Sequence, residues 1–159
     1  TLAELNRVLA ADMQPGHFIT MLYAIIDVAA NEVTVARAGH ELPLFVRADR
    51  AAGGYRAEFV GSEGISLGMV PDELFAAATV DHREPFAPGD ALVLYTDGLT
   101  EAPNETQKEF SGARLADAVH AFHDRPAREI NDGILAAVQR FTGDTPQRDD
   151  FTLVTVKRT

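Results

Sequence analysis

The sequence predicts an α+β fold built mainly on antiparallel sheet, and three observations lead there. Strand-forming runs come in pairs joined by short turns and do not alternate with helices. The helical patterns are grouped at the start of the chain and before its last strand, and each pattern carries a single apolar face. Hairpins imply antiparallel pairing, and one-faced helices grouped in this way imply a sandwich in which helices cover sheet.

Taken in order, "TLAELNRVLAADM" opens with a Thr-x-x-Glu capping box, Thr1 and Glu4, and sets Leu2, Leu5, Val8 and Leu9 on one face of a short helix. After the turn at Pro15-Gly16, "FITMLYAIIDV" and "EVTVARA" form a hairpin across Ala29 to Asn31. "LPLFVRAD" and "YRAEFV" form a second hairpin around Arg50 to Gly54, where two glycines serve the positive-φ positions of the loop. "GSEGISLGMVPDE" has no period and reads as a surface loop leading to a strand in "LFAAATVDH". "APGD" turns the chain into "ALVLYT".

Two helices follow, one burying Leu115, Ala118, Val119 and Phe122, the other Ile130, Ile134, Leu135, Val138 and Phe141, with Pro126 suited to its first turn. The polar loop "GDTPQRDD" leads to a last strand, "FTLVTVK". No repeat, low-complexity tract or linker interrupts the chain, so residues 1–159 are expected to form a single domain.

A chain of 159 residues with 46% hydrophobic content can bury a sizeable core, roughly 68–70% of its unfolded surface. Acidic side chains number 24 against 14 basic ones, a formal charge of -10, and the basic residues are scattered. That disfavours a nucleic-acid binder, whose affinity rests on basic patches. It fits divalent cations, although an acidic surface that keeps the protein in solution accounts for most such balances. Without cysteine there are neither disulfides nor thiolate metal sites, and no signal peptide or apolar span of about 18 residues is present. A cytoplasmic location without membrane contact is the expectation.

Chemistry concentrates where loops meet apolar strands. Asp97 stands at the exit of "ALVLYT", and Asp149 and Asp150 stand at the entrance to "FTLVTV". If those strands pair antiparallel, the carboxylates converge. Converging carboxylates repel unless a cation compensates them, and hard oxygen donors without His or Cys select Mg²⁺ or Mn²⁺ over zinc. Gly98, lacking Cβ, would let backbone and solvent approach the ion. Spacing alone leaves open the other reading, an Asp-Gly turn and a solvated loop end. Aspartyl-nucleophile chemistry of the haloacid-dehalogenase kind is disfavoured, because its Asp-x-Asp-Gly-Thr signature is broken by Tyr95 and Leu99.

"FITMLYAIID", "VARAGHELPLFV", "GISLGM", "GDALVLYTDGLTEAPN", "EFSGARL" and "RDDFTLVTV" occur in the order and approximate spacing of a known family. The chain resembles, through its whole length, the SpoIIE/RsbU-like bacterial branch of the PPM (protein phosphatase 2C-like) serine/threonine phosphatases. The resemblance implies a two-sheet sandwich flanked by helices with a binuclear Mn²⁺ or Mg²⁺ centre. It implies hydrolysis of phosphoserine or phosphothreonine by metal-activated water, on a small anti-anti-sigma (STAS-domain) protein that controls a sigma factor. Asp97 and Asp149 resemble the family's metal ligands and so its catalytic residues; Asp150 is a further ligand or supports one.

The family's first motif, which carries the bridging carboxylate, has no match here. Asp27, at the end of "LYAIID", does not replace it. The expectation is therefore the larger C-terminal part of a phosphatase domain, preceded by a sensor domain, that does not assemble the two-metal centre alone and whose open sheet edge invites dimerisation. The alternative is an inactive phosphatase-like module that docks a signalling partner.

Other residues carry smaller expectations. Thr96, Thr100 and Glu101 could orient Asp97 or a bound water, and Thr152 could pair its hydroxyl with the loop. Gly39 and Pro43 shape the turn in "AGHELP", where His40 is expected to hold backbone. His17, His82, His120 and His123 lack the spacing of a zinc site.

Overall fold

A computed structural model of the protein describes residues 1–14, 16–49, 54–61 and 63–159. The chain divides into two compact units, Thr1–Leu42 with Gly61–Phe86, and Pro43–Val60 with Ala87–Thr159. Each holds one antiparallel sheet with helices against it, so the α+β expectation is borne out. Among the described residues no helix is long and apolar enough to cross a membrane.

The first unit orders its strands β1 (Met21–Asp27), β2 (Glu32–Ala38) and β5 (His82–Pro85), with β2 central. The β1–β2 hairpin runs in unbroken register from Met21↔Ala38 to Asp27↔Glu32. Its turn is shaped by Asp27, whose Oδ1 accepts the backbone N–H groups of Ala29 at 2.9 Å and Ala30 at 2.8 Å, and by Asn31 at φ 53°.

Helix α1 (Leu2–Asp12) lays Leu2, Leu5 and Leu9 against Ala36 and Ala38 of β2. The capping box is not formed: Thr1 makes no side-chain cap bond, and Glu4 accepts from Arg7 Nη2 at 2.6 Å and Nε at 3.1 Å. An exposed ion pair one turn along the helix has taken the carboxylate that would have reached back. The Arg7 hydrogen bond, and then its charge, hold the Glu4 carboxyl below its ordinary value.

The strand expected over "LFAAATVDH" is corrected. Residues Asp72–Ala78 form helix α2, and only His82–Pro85 extend as strand. Pro71 at the N-cap, two acids in the first turn and a run of alanines favour helix over sheet, and a single side chain, Phe75, is buried from it. Asn6 ties the two helices together. It is fully buried, donates from Nδ2 to Asp72 Oδ1 at 2.7 Å and accepts the Gly68 N–H at 2.9 Å.

In the second unit the order is β4 (Gly54–Phe59), β3 (Leu44–Asp49), β6 (Ala91–Tyr95), β7 (Leu153–Lys157). β3 and β4 pair as the expected second hairpin, and the glycine-bearing loop assigned to it falls largely outside the described residues. Strand β6 is buried on both faces, as suits a central strand: Ala91, Val93 and Tyr95 face the helices, and Leu92 is equally enclosed.

Over that sheet lie α4 (Ser111–Phe122) and α5 (Ala127–Thr142), burying Leu115, Ala118, Val119, Ile130, Ile134 and Val138. Leu135 departs from its expected core place, being 40% exposed. Gly133 is what lets the helices approach, since a Cβ there would stand 2.3 Å from the Phe122 ring.

Replacing Asn6 by Ala strands the Gly68 N–H and the Asp72 carboxylate, and is expected to destabilise by about 2 kcal/mol, read as a lowered urea midpoint. Glu4→Gln, on the same helix but facing solvent, is expected to leave the midpoint where it was.

Candidate functional site

The site begins with a strand pairing. β6 and β7 run antiparallel with Tyr95 opposite Leu153, so the exit of one lies beside the entrance of the other, as the sequence reading required. The pairing continues one step further. Thr96 N–H donates to the Thr152 carbonyl at 3.2 Å, and Thr152 N–H donates to the Thr96 hydroxyl at 2.9 Å. Thr152 therefore contributes its backbone, and the hydroxyl in the contact is that of Thr96, the reverse of what was expected.

Asp97 follows at once, and the chain turns into a single helical turn, α3 (Asp97–Thr100), where an ordinary Asp-Gly turn was the plain alternative. Thr100 donates its hydroxyl to the Asp97 carbonyl at 3.1 Å, and Glu101 donates its N–H to the same oxygen at 2.8 Å. Both hold the backbone of Asp97 and leave its carboxylate to other partners.

Gly98 is buried against the opposite segment. A Cβ added to it would lie 2.7 Å from the Asp150 carbonyl oxygen and 3.5 Å from Asp149 Cβ. The close approach that glycine permits is thus to protein backbone, and it locks the 97–98 and 149–150 segments side by side.

Asp97, Asp149 and Asp150 are all exposed. Asp97 Oδ1 accepts the N–H of Gly98 at 2.9 Å, and Asp149 Oδ1 accepts that of Asp150 at 2.8 Å, so one oxygen of each carboxylate is fixed by the next peptide group. Gln147, which sequence reading passed over, donates from Nε2 to the Asp149 carbonyl at 2.7 Å and steadies the approach to β7. Asn104 was also missed. Its Oδ1 accepts Thr106 N–H at 3.0 Å, the Thr106 hydroxyl at 2.9 Å and Lys108 N–H at 3.0 Å, folding the loop after α3. An Asn-x-Thr stretch between apolar segments was the available signal.

The donor chemistry fits a hard divalent cation, since the acidic side chains on the adjoining 97–98 and 149–150 segments are carboxylates, Asp97, Asp149 and Asp150. Their number is short of a full shell: among the described residues no group of three or more His, Asp or Glu side chains is arranged to hold a metal ion. Next to Gly98 and Asp149 a cavity of about 380 Å³ opens, with Glu101 in its lining.

The expected backbone contact of the His40 ring is not the one found, which is with a side chain. Gly39 has φ +63°, and a Cβ there would fall 2.0 Å from Ser66 Oγ. His40 Nδ1 lies 3.2 Å from the Thr20 hydroxyl while its carbonyl accepts from Arg37, and Pro43 O accepts the Val60 N–H at 3.1 Å. His82 pairs with Glu84 at 2.6 Å, and His120 and His123 lie ring to ring at 5.4 Å on α4 and its C-cap.

Comparison with known proteins gives one consistent picture. The family model described as Stage II sporulation protein E (SpoIIE) matches residues 1–159. Phosphoserine phosphatase RsbU of Bacillus subtilis (strain 168) is 30% identical over 158 residues, which are 99% of this chain and 44% of that protein. Protein IcfG of Synechocystis sp. (strain ATCC 27184 / PCC 6803 / Kazusa) is 30% identical over 141 residues, 89% of this chain and 21% of that one. The chain thus spans less than half the length of these relatives.

Among solved structures, the RsbU and RsbW domains of Rv1364c from Mycobacterium tuberculosis superpose with a TM-score of 0.71 at 28% identity, covering 99% of this chain and 42% of that one. The SiaA-PP2C domain of Pseudomonas aeruginosa superposes with a TM-score of 0.77 at 22% identity, covering 99% and 59%, a likeness of fold.

Two substitutions test the clamp. Thr96→Val removes the acceptor for the Thr152 amide and is expected to lower its hydrogen-exchange protection about tenfold. Gly98→Ala forces a methyl group against the Asp150 carbonyl and is expected to destabilise by about 1–3 kcal/mol, measured in the same urea titration.

Proposed function

The chain belongs to the SpoIIE family of PPM-type phosphatases, and on that premise we propose that it serves a metal-dependent protein serine/threonine phosphatase of bacterial partner switching. The substrate in this reading is a small phosphorylated anti-anti-sigma (STAS-domain) protein whose dephosphorylation controls a sigma factor. The observation that carries the reading is the β6–β7 pairing, which brings the segments bearing Asp97 and Asp149-Asp150 to one end of one sheet.

Asp97 and Asp149 would hold Mn²⁺ or Mg²⁺ through carboxylate oxygens, with Asp150 adjoining. When bound, such ions activate water near neutral pH and neutralise charge on the phosphoryl oxygens. Thr96 fixes the spacing of the two acidic segments, and Thr100 and the Glu101 N–H fix the peptide that bears Asp97. Acids without a nucleophilic side chain suffice for this chemistry, and the chain contains no cysteine. The further ligands of a two-metal centre come, in this reading, from protein outside these residues.

Asp97→Asn and Asp149→Asn, each made in the complete gene product, are expected to lower Mn²⁺-dependent phosphate release from a phosphoserine protein by about 10²–10³-fold. Circular dichroism and urea midpoint are expected to stay at wild-type values, since both side chains are exposed. Undiminished turnover in both variants contradicts the assignment. Absence of turnover in the wild type, with partner binding intact, favours the docking module.

A further inference from the structure

The cavity of about 380 Å³ beside Gly98 and Asp149 has a lining of two characters. Leu135 and Val138 of α5, with Phe151, give it an apolar wall. Leu135 is kept there at 40% exposure while its neighbour Ile134 fills the core, so a large aliphatic side chain faces the cavity without being enclosed. The charged lining is mostly acidic, Glu101, Glu109 and Asp149. Arg148, the single cation in that lining among the described residues, donates to Gln107 Oε1. The Thr145 hydroxyl, also in the lining, is buried without a hydrogen-bond partner among the described residues.

An apolar wall with an excess of carboxylates is complementary to one class of side chain, an aliphatic stem ending in a cation. The volume is within the range of about 300–1,000 Å³ typical of ligand pockets. We propose that this cavity is a specificity pocket that takes an arginine or lysine side chain of the phosphorylated protein, near its phosphoserine in sequence. The stem packs on Leu135, Val138 and Phe151 and the cation meets Glu101 and Glu109. The cavity shares Asp149 and Gly98 with the carboxylate cluster, so an occupied pocket holds the neighbouring phosphoryl group at the acids. The inference rests on the phosphatase reading and adds to it a determinant of substrate choice.

The test uses phosphoserine peptides that differ at one flanking position, carrying Arg, Leu or Glu there. Binding to the complete gene product is read by fluorescence anisotropy in chelator, without turnover, and phosphate release is read separately with Mn²⁺. At one position the Arg peptide is expected to bind about tenfold more tightly than the Leu peptide, and the Glu peptide most weakly. Glu109→Gln is expected to remove the Arg preference and spare the Leu peptide, whereas Leu135→Ala is expected to weaken both.

Equal binding of the three peptides at every position, or an Arg preference untouched by Glu109→Gln, overturns the pocket. Release of phosphate from 4-nitrophenyl phosphate with a flat peptide series keeps the phosphatase reading and overturns the pocket alone. An Arg preference lost in Glu109→Gln, without release from any substrate, upholds the pocket and overturns the phosphatase reading.

Discussion

The antiparallel register of β6 and β7 is the constraint on which the site depends. It sets Tyr95 opposite Leu153, and the Thr96 hydroxyl carries the pairing one residue beyond the strands. A slip of one residue would turn Tyr95 and Val93 out of the helix-covered core and carry Asp97 away from Asp149 in the same motion. Burial of the apolar face therefore enforces the placement of the acids. Fold and site are held by one set of contacts.

Asp97, Asp149 and Asp150 stand at the ends of paired strands on a chain of formal charge -10, and all three are open to water. Each of Asp97 and Asp149 already commits one oxygen to the following peptide N–H, which fixes its direction at little cost. Carboxylates fixed in direction and left in solvent are suited to meeting a cation.

Much of this was legible in the sequence because it rests on period and punctuation. The hairpins followed from strand-forming runs around short turns, and the late helices followed from apolar faces repeating every three or four residues. What was misread was decided by competition between local and distant partners. "DELFAAA" carries too weak an apolar pattern to declare itself, and its helix is fixed by the Pro71 start and by Asn6 reaching across from α1. The capping box at Thr1 was lost to Arg7, one turn away. At the site, the positions of Asp97, Asp149 and Asp150 could be inferred from strand ends. The clamp by Thr96 and the backing of Gly98 on Asp150 could not, because they arise only when residues some fifty positions apart meet.

The phosphatase proposal requires that two distant stretches of acid share one cation. Paramagnetic broadening by substoichiometric Mn²⁺ in an isotopically labelled sample reads it directly. The amides of residues 97–101 and 149–152 are expected to broaden together at the lowest metal ratio, and Ca²⁺ in excess to restore them only weakly. Broadening spread over the acidic surface, or confined to one of the two stretches, would contradict it.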